Sequence, residues 1–267
     1  MTMPVADYDK PRALLDQLFQ TACPKRVVLL SGGDGVGKTM LLSLCQSRAA
    51  GFATTVAIEL RNNCVGASEI LYRIGSTIGW NLLPRFARRV AMMDGAPNVR
   101  INRNWLIGMN NRINVVLSAE TRTERDQRLV ALTDDLFADL ARCDGLFLLL
   151  FDMFEQAPSE VRDWLSGPFL ARAISGKAEH IRVAIAGRDV PTPENIEWGA
   201  CSMLHVLEGV REPDPWLSVI DALGYKVPSF ASDQPRGFVE GICWRTRGNP
   251  YLMMQTIREF PRRDAPA

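Results

Sequence analysis

In the segment RVVLLSGGDGVGKT an apolar run passes without a linker into a loop carrying four glycines and then into helical spacing, and it constrains this chain more than any other stretch. Gly32, Gly37, Lys38 and Thr39 fall at the positions of G-x-x-x-x-G-K-[ST], in the order strand, loop, helix. A triphosphate can be wrapped by backbone N–H groups only if the chain comes close to its oxygens. Gly32, Gly33, Gly35 and Gly37 are read as the residues that let it take φ > 0 there, and a helix opening at Lys38 aims its N-terminus at the same point. Lys38 supplies a compact charge to the β- and γ-phosphates, and the Thr39 hydroxyl is a ligand for Mg²⁺. The expected nucleotide-contact set is Gly32, Gly33, Asp34, Gly35, Val36, Gly37, Lys38, Thr39 and Met40.

Two further strand ends carry charge. GLFLLLFDMFE finishes a buried run with Asp152, followed three residues later by Glu155. A carboxylate at such a tip can hold the Mg²⁺ water shell opposite Lys38, and a second one just beyond can orient water for attack on the γ-phosphorus. This is a Walker-B-like pair, with a solvated strand terminus as its plain alternative. IRVAIAG ends at Arg188, where a guanidinium either reaches the γ-phosphate or pairs on the surface with Asp189 or Glu194. In TRGNPYLM, Asn249 has the chemistry of a helix cap and Pro250 suits a first helical position.

The strand-sized apolar runs are Val27 to Leu30, Val56 to Leu60, Leu146 to Phe151, Val183 to Ala186 and Met203 to Leu207. Helical spacing lies between them at Thr39 to Ala49, Ser68 to Ile78 and Leu129 to Leu140, an alternation that predicts βαβ units on a parallel sheet. After Leu207 the pattern is helical only: Pro213 to Tyr225, Arg236 to Thr246 and Pro250 to Phe260. The reading is an α/β domain over residues 1–208 and a small helical subdomain over 209–267. Residues 84–117 fit neither pattern. They hold six arginines against Asp94 alone, and the alternation in VRINRN and RINVVL allows a hairpin, so they are expected to form a removable insertion outside the sheet.

Composition limits the alternatives. With 31 basic and 30 acidic residues the chain has no net field to draw it to nucleic acid or an acidic membrane, and 47% apolar content suits a folded globular protein. Five of the basic residues are lysines, so an arginine cluster is weak evidence here and a lysine is more telling. The six cysteines are scattered without a CxxC pair, which points to small buried hydrophobes in a reducing cytoplasm. The longest apolar run is six residues, against the roughly 20 needed to cross a bilayer.

GGDGVGKT, LLLFDMFE, VAIAGR and RGNPYL, in this order, resemble the signal-transduction ATPases of the STAND class, relatives of AAA+ proteins and of NACHT and NB-ARC modules, over about Asp9 to Phe260. The resemblance implies a P-loop NTPase with a five-stranded parallel sheet in the order 5-1-4-3-2 and a C-terminal helical lid. It also implies bound ATP or ADP with Mg²⁺, Arg188 as sensor arginine, and Pro250 and the segment Asp9 to Arg12 near the base, with Arg12 in the contact set. Lys38, Asp152, Glu155 and Arg188 would then be catalytic, with Thr39 and Asp152 at the metal. The function implied is a slow, Mg²⁺-dependent ATP-hydrolysing switch that controls a protein effector or sensor partner, with self-association open. A nucleic-acid-dependent ATPase using residues 84–117, and a nucleotide-stabilised scaffold without hydrolysis, are the alternatives. Only 17 residues follow Pro250, where members of the class continue into winged-helix and repeat domains.

Overall fold

The computed structural model describes residues 8–20, 23–61, 65–96, 101, 103–118, 121–175 and 179–263. Five strands form one parallel sheet: β1 (Val27–Gly32), β2 (Ala53–Glu59), β3 (Leu146–Asp152), β4 (Ile181–Gly187) and β5 (Ser202–Leu207). Their order is β2-β3-β4-β1-β5, which from the other edge is the expected 5-1-4-3-2. Strands covered on both faces need apolar side chains at odd and even positions alike, and the continuous runs supply them in the three inner strands β1, β3 and β4, whereas the edge strands β2 and β5 are exposed at alternate positions. Leu29, Leu149, Phe151, Val183 and Ile185 face one layer of core, and Val28, Leu30, Leu148, Leu150 and Ala184 the other.

The second of these layers is closed by α1 (Asp9–Gln17) and α2 (Lys38–Ala49), through Leu15, Leu41, Leu42 and Cys45. The first is closed by more helices than the sequence suggested. α3 (Ala67–Ile78) is followed by α4 (Pro84–Met93), α5 (Arg103–Ile107), α6 (Met109–Leu117) and the long α7 (Arg122–Leu140). After β3, α8 (Ser159–Trp164) runs through one π-helical turn (Leu165–Phe169) into α9 (Leu170–Ala173). Pro168 sits in that turn, where its missing N–H disrupts the ordinary ladder.

Residues 84–117 therefore overturn the hairpin reading: RINVVL is part of α6, and of VRINRN the last two residues open α5 while Val99, Arg100 and Asn102 lie outside the described residues. Nor is the segment a solvated appendage. Phe86, Val90, Trp105, Met109, Ile113 and Val116 are buried in the same core layer as β3 and β4. Two of the arginines that mask this are paired: Arg89 Nε donates to Asp135 of α7 at 2.6 Å, and Arg112 bonds Asp94 within the segment at 2.6 Å while stacking over Trp105. Asp139 of α7 accepts from the backbone N–H groups of Arg85 and Phe86, at 2.8 and 3.0 Å, and so caps α4 from another helix. The cysteine reading holds for Cys45 and Cys243, which are buried. Cys23, Cys143 and Cys201 are partly exposed, and Cys64 lies outside the described residues.

After β5 come α10 (Pro213–Ala222), α11 (Pro235–Thr246) and α12 (Pro250–Ile257), packed around Trp216, Val219, Ile220, Val239, Met253 and Ile257 as a core of their own. No described helix is long and apolar enough to cross a membrane. The chain has a P-loop NTPase fold: β4 lies between β1 and β3, so the loop after β1, Asp152 and Arg188 emerge side by side at the carboxyl edge of the sheet.

Candidate nucleotide site

The loop after β1 is built from two glycines in the left-handed region. Gly35 has φ +74° and Gly37, which caps α2, has φ +95°. Gly37 also admits a neighbour, since a Cβ there would stand 2.6 Å from the Tyr8 hydroxyl. The φ > 0 reading does not extend to the other two glycines. Gly32 packs against the Leu207 carbonyl, which a Cβ would meet at 2.6 Å, and Gly33 faces open space. No side chain caps the N-terminus of α2, so the first N–H groups of that helix remain for an anion.

Lys38 folds back on the loop, its Nζ donating to the carbonyls of Gly32 and Gly33 at 2.6 and 2.7 Å. Burial lowers its pKa, while Glu155, Asp34 and Asp152 draw it upward, so a cation is held among carboxylates. The Thr39 hydroxyl donates to Asp152 Oδ2 at 2.6 Å, and Asp152 Oδ1 accepts from the Met153 N–H at 2.9 Å. Two hard oxygen donors from neighbouring elements thus meet, a donor set that suits Mg²⁺.

Glu155 depends on a turn that the sequence does not disclose. Met153 adopts φ 59°, and the short 3₁₀ turn Phe154–Gln156 then directs Glu155 toward the end of β4. Its Oε2 accepts from the Arg188 N–H at 2.9 Å and its Oε1 lies 3.6 Å from Arg188 Nε. A Cβ at Gly187 would stand 2.7 Å from that carboxylate, so the strand-terminal glycine permits the approach. On its other side Arg188 Nη1 is 3.6 Å from Asp34 Oδ2. Arg188 therefore bridges the phosphate loop and the acidic turn, and the surface pairing with Asp189 or Glu194 is not what forms.

Beside these groups lies a cavity of about 470 Å³ lined by Asp34, Gly35, Gly37, Lys38, Thr39, Met40, Asp152, Met153, Glu155 and Gln156, with Pro250, Tyr251 and Met254 of α12. Gly32, Gly33, Val36, Arg12 and Arg188 do not line it. Arg12 lies part-buried in the first turns of α1, and it is Tyr8, the residue just before the expected segment Asp9 to Arg12, that reaches the loop, its hydroxyl donating to the Val36 carbonyl. Burial pushes the Tyr8 pKa up to about 12, so the hydroxyl keeps its proton. Sequence reasoning missed Tyr8, Met153, Gln156, Tyr251 and Met254. Of these only Tyr251 and Met254 had a signal, their place just after the Asn-Pro helix start. A second cavity, of about 420 Å³, lies between α3, α7 and α8 and contains none of these residues.

No protein-family profile matches the chain, and no curated protein does. Among solved structures it is similar to the Walker-type ATPase PabY2304 of Pyrococcus abyssi, at 15% identity and a TM-score of 0.47, over 94% of this chain and 71% of that one.

Proposed function

We propose that the chain is an ATP-binding regulatory switch with slow Mg²⁺-dependent hydrolysis, in the manner of the STAND class, in which residues 209–267 act as a lid that passes nucleotide state to a partner protein. The observation that carries this reading is the position of Arg188. It sits at the tip of the strand between the phosphate loop and Asp152, and its guanidinium meets, among the described residues, the carboxylates of Asp34 and Glu155 at 3.6 Å. Such contacts are weak, and a γ-phosphate offers the guanidinium a stronger partner.

Thr39 and Asp152 would hold Mg²⁺, which when bound neutralises charge developing on the phosphates. Lys38 would exchange the Gly32 and Gly33 carbonyls for phosphate oxygens. Glu155, released from Arg188, would hold the attacking water and take its proton. The nucleic-acid alternative loses its stacking surface, since Phe86 and Trp105, the aromatics of residues 84–117, are buried at 0% and 6% exposure. Arg89 and Arg112 are already paired, and Arg100 and the Arg103 side chain lie outside the described residues.

The test is Arg188→Ala, titrated with ATP, a non-hydrolysable analogue and ADP. A charge-assisted contact made only to the γ-phosphate contributes about 1.5–3 kcal/mol, so affinity for ATP and the analogue should fall roughly 10- to 150-fold more than affinity for ADP. Equal losses for all three would make Arg188 structural and end the sensor role. Asp152→Asn is expected to weaken Mg²⁺-dependent binding, and Glu155→Gln to keep binding while losing turnover. Hydrolysis absent from the wild type under every condition would favour the scaffold.

A further inference from the structure

The loop apex is gripped by the start of α12. Asn249 Nδ2 donates to the Asp34 carbonyl at 2.7 Å, and the Tyr251 N–H to the Gly35 carbonyl at 3.1 Å. The amide oxygen of Asn249 meanwhile caps its own helix, accepting from the N–H groups of Tyr251 and Leu252 at 3.0 and 3.3 Å. One side chain thus spends its acceptor on the helix and its donor on the phosphate loop. Gly35 allows the fit, because a Cβ there would stand 2.7 Å from Asn249 Oδ1 and 2.9 Å from Tyr251 Cβ.

This contact has a consequence for the inner side of the loop. A trans peptide carries its C=O and N–H on opposite edges, and no described peptide is cis. Holding the Asp34 and Gly35 carbonyls toward α12 turns the next two donors, the N–H groups of Gly35 and Val36, away from it. We propose that Asn249 is a positioning residue for nucleotide binding: by fixing those two carbonyls outward it presets the Gly35 and Val36 N–H groups for phosphate, and phosphate on them in turn tightens the seating of α12. The inference rests on the switch reading above and names the contact through which loop and lid are coupled. Because such coupling is reciprocal, ATP must favour lid docking by the factor with which docking favours ATP. Asp34 joins this contact to the sensor, since its carboxylate faces Arg188 while its carbonyl faces Asn249.

Asn249→Asp separates the two duties. Asp caps a helix as well as Asn does, so α12 keeps its start, but an acceptor then faces the Asp34 carbonyl and the latch is lost. ATP affinity should fall roughly 5- to 20-fold, as for the loss of one hydrogen bond and the unpairing of its acceptor. Hydrogen exchange gives the second reading. In the wild-type chain ATP should slow exchange at the amide of Tyr251, and in Asn249→Asp this protection should shrink while the thermal midpoint falls by only a few degrees, about what one lost hydrogen bond costs. Wild-type ATP affinity in Asn249→Asp, with ATP-independent exchange at Tyr251 in both proteins, would overturn the latch and leave the nucleotide site standing. Failure of the wild-type chain to bind ATP at all would instead remove the reading on which the latch rests.

Discussion

Replacement of Lys38 by alanine is expected to abolish detectable ATP binding without unfolding the protein. Lys38 Nζ is the only lysine nitrogen lining the described cavity, and it touches backbone carbonyls of the loop rather than any apolar core. The Gly32 and Gly33 carbonyls it leaves can turn to water, so the cost to stability should be small. Binding is different. Two charge-assisted contacts, to a β- and a γ-oxygen, contribute about 3–6 kcal/mol together, or roughly 10²- to 10⁴-fold in affinity. Burial already lowers the Lys38 pKa and the carboxylates of Glu155, Asp34 and Asp152 oppose that shift, so without the ammonium ATP would meet a ring of acids. Calorimetric titration with MgATP reads the loss and thermal unfolding reads the fold. Unchanged affinity would remove the phosphate-loop assignment.

Phe86→Ala should unfold the protein far more readily while leaving the cavity chemistry intact. Phe86 is fully buried in α4, with its ring stacked on Trp80 at 6.0 Å and its N–H bonded to Asp139. Deleting such a ring removes its burial and leaves a cavity, a cost of about 3–5 kcal/mol. In a protein of this size that lowers the thermal midpoint by about 10 °C. ATP affinity of the folded protein should not change, because α4 packs on the layer of α3 and α7 and contributes nothing to the 470 Å³ cavity. A loss below about 1 kcal/mol in denaturant unfolding would restore residues 84–117 to the status of an appendage. Removal of residues 87–114, harmless if they were one, is now expected to abolish folding.

What the sequence disclosed and what it hid follow from the range of the interactions. The inner strands β1, β3 and β4 were legible because burial on both faces writes an unbroken apolar run, and the edge strands β2 and β5, exposed at alternate positions, through their short apolar stretches; the observed limits of all five differ from the runs by a few residues at most. The phosphate loop was legible because its residues are contiguous. α4 to α6 were not: Phe86, Val90, Met109 and Ile113 have helical spacing, but arginines crowd between them, and the acids that meet Arg89 and Arg112 lie 46 and 18 residues away in sequence. Glu155, expected from the sequence as the base beyond Asp152, lines the cavity, yet its engagement with Arg188 hangs on the left-handed Met153, a conformation that a Met does not advertise. Asn249 was legible as a cap because capping is local. Its grip on Asp34, 215 residues away, exists only in the folded chain.

If this carboxyl edge holds MgATP, calorimetric titration of MgATP into nucleotide-free wild-type protein should show saturable binding at one site per chain that disappears when Mg²⁺ is chelated or Lys38 is replaced. Absence of saturable binding, or binding that survives Lys38→Ala undiminished, would contradict that assignment.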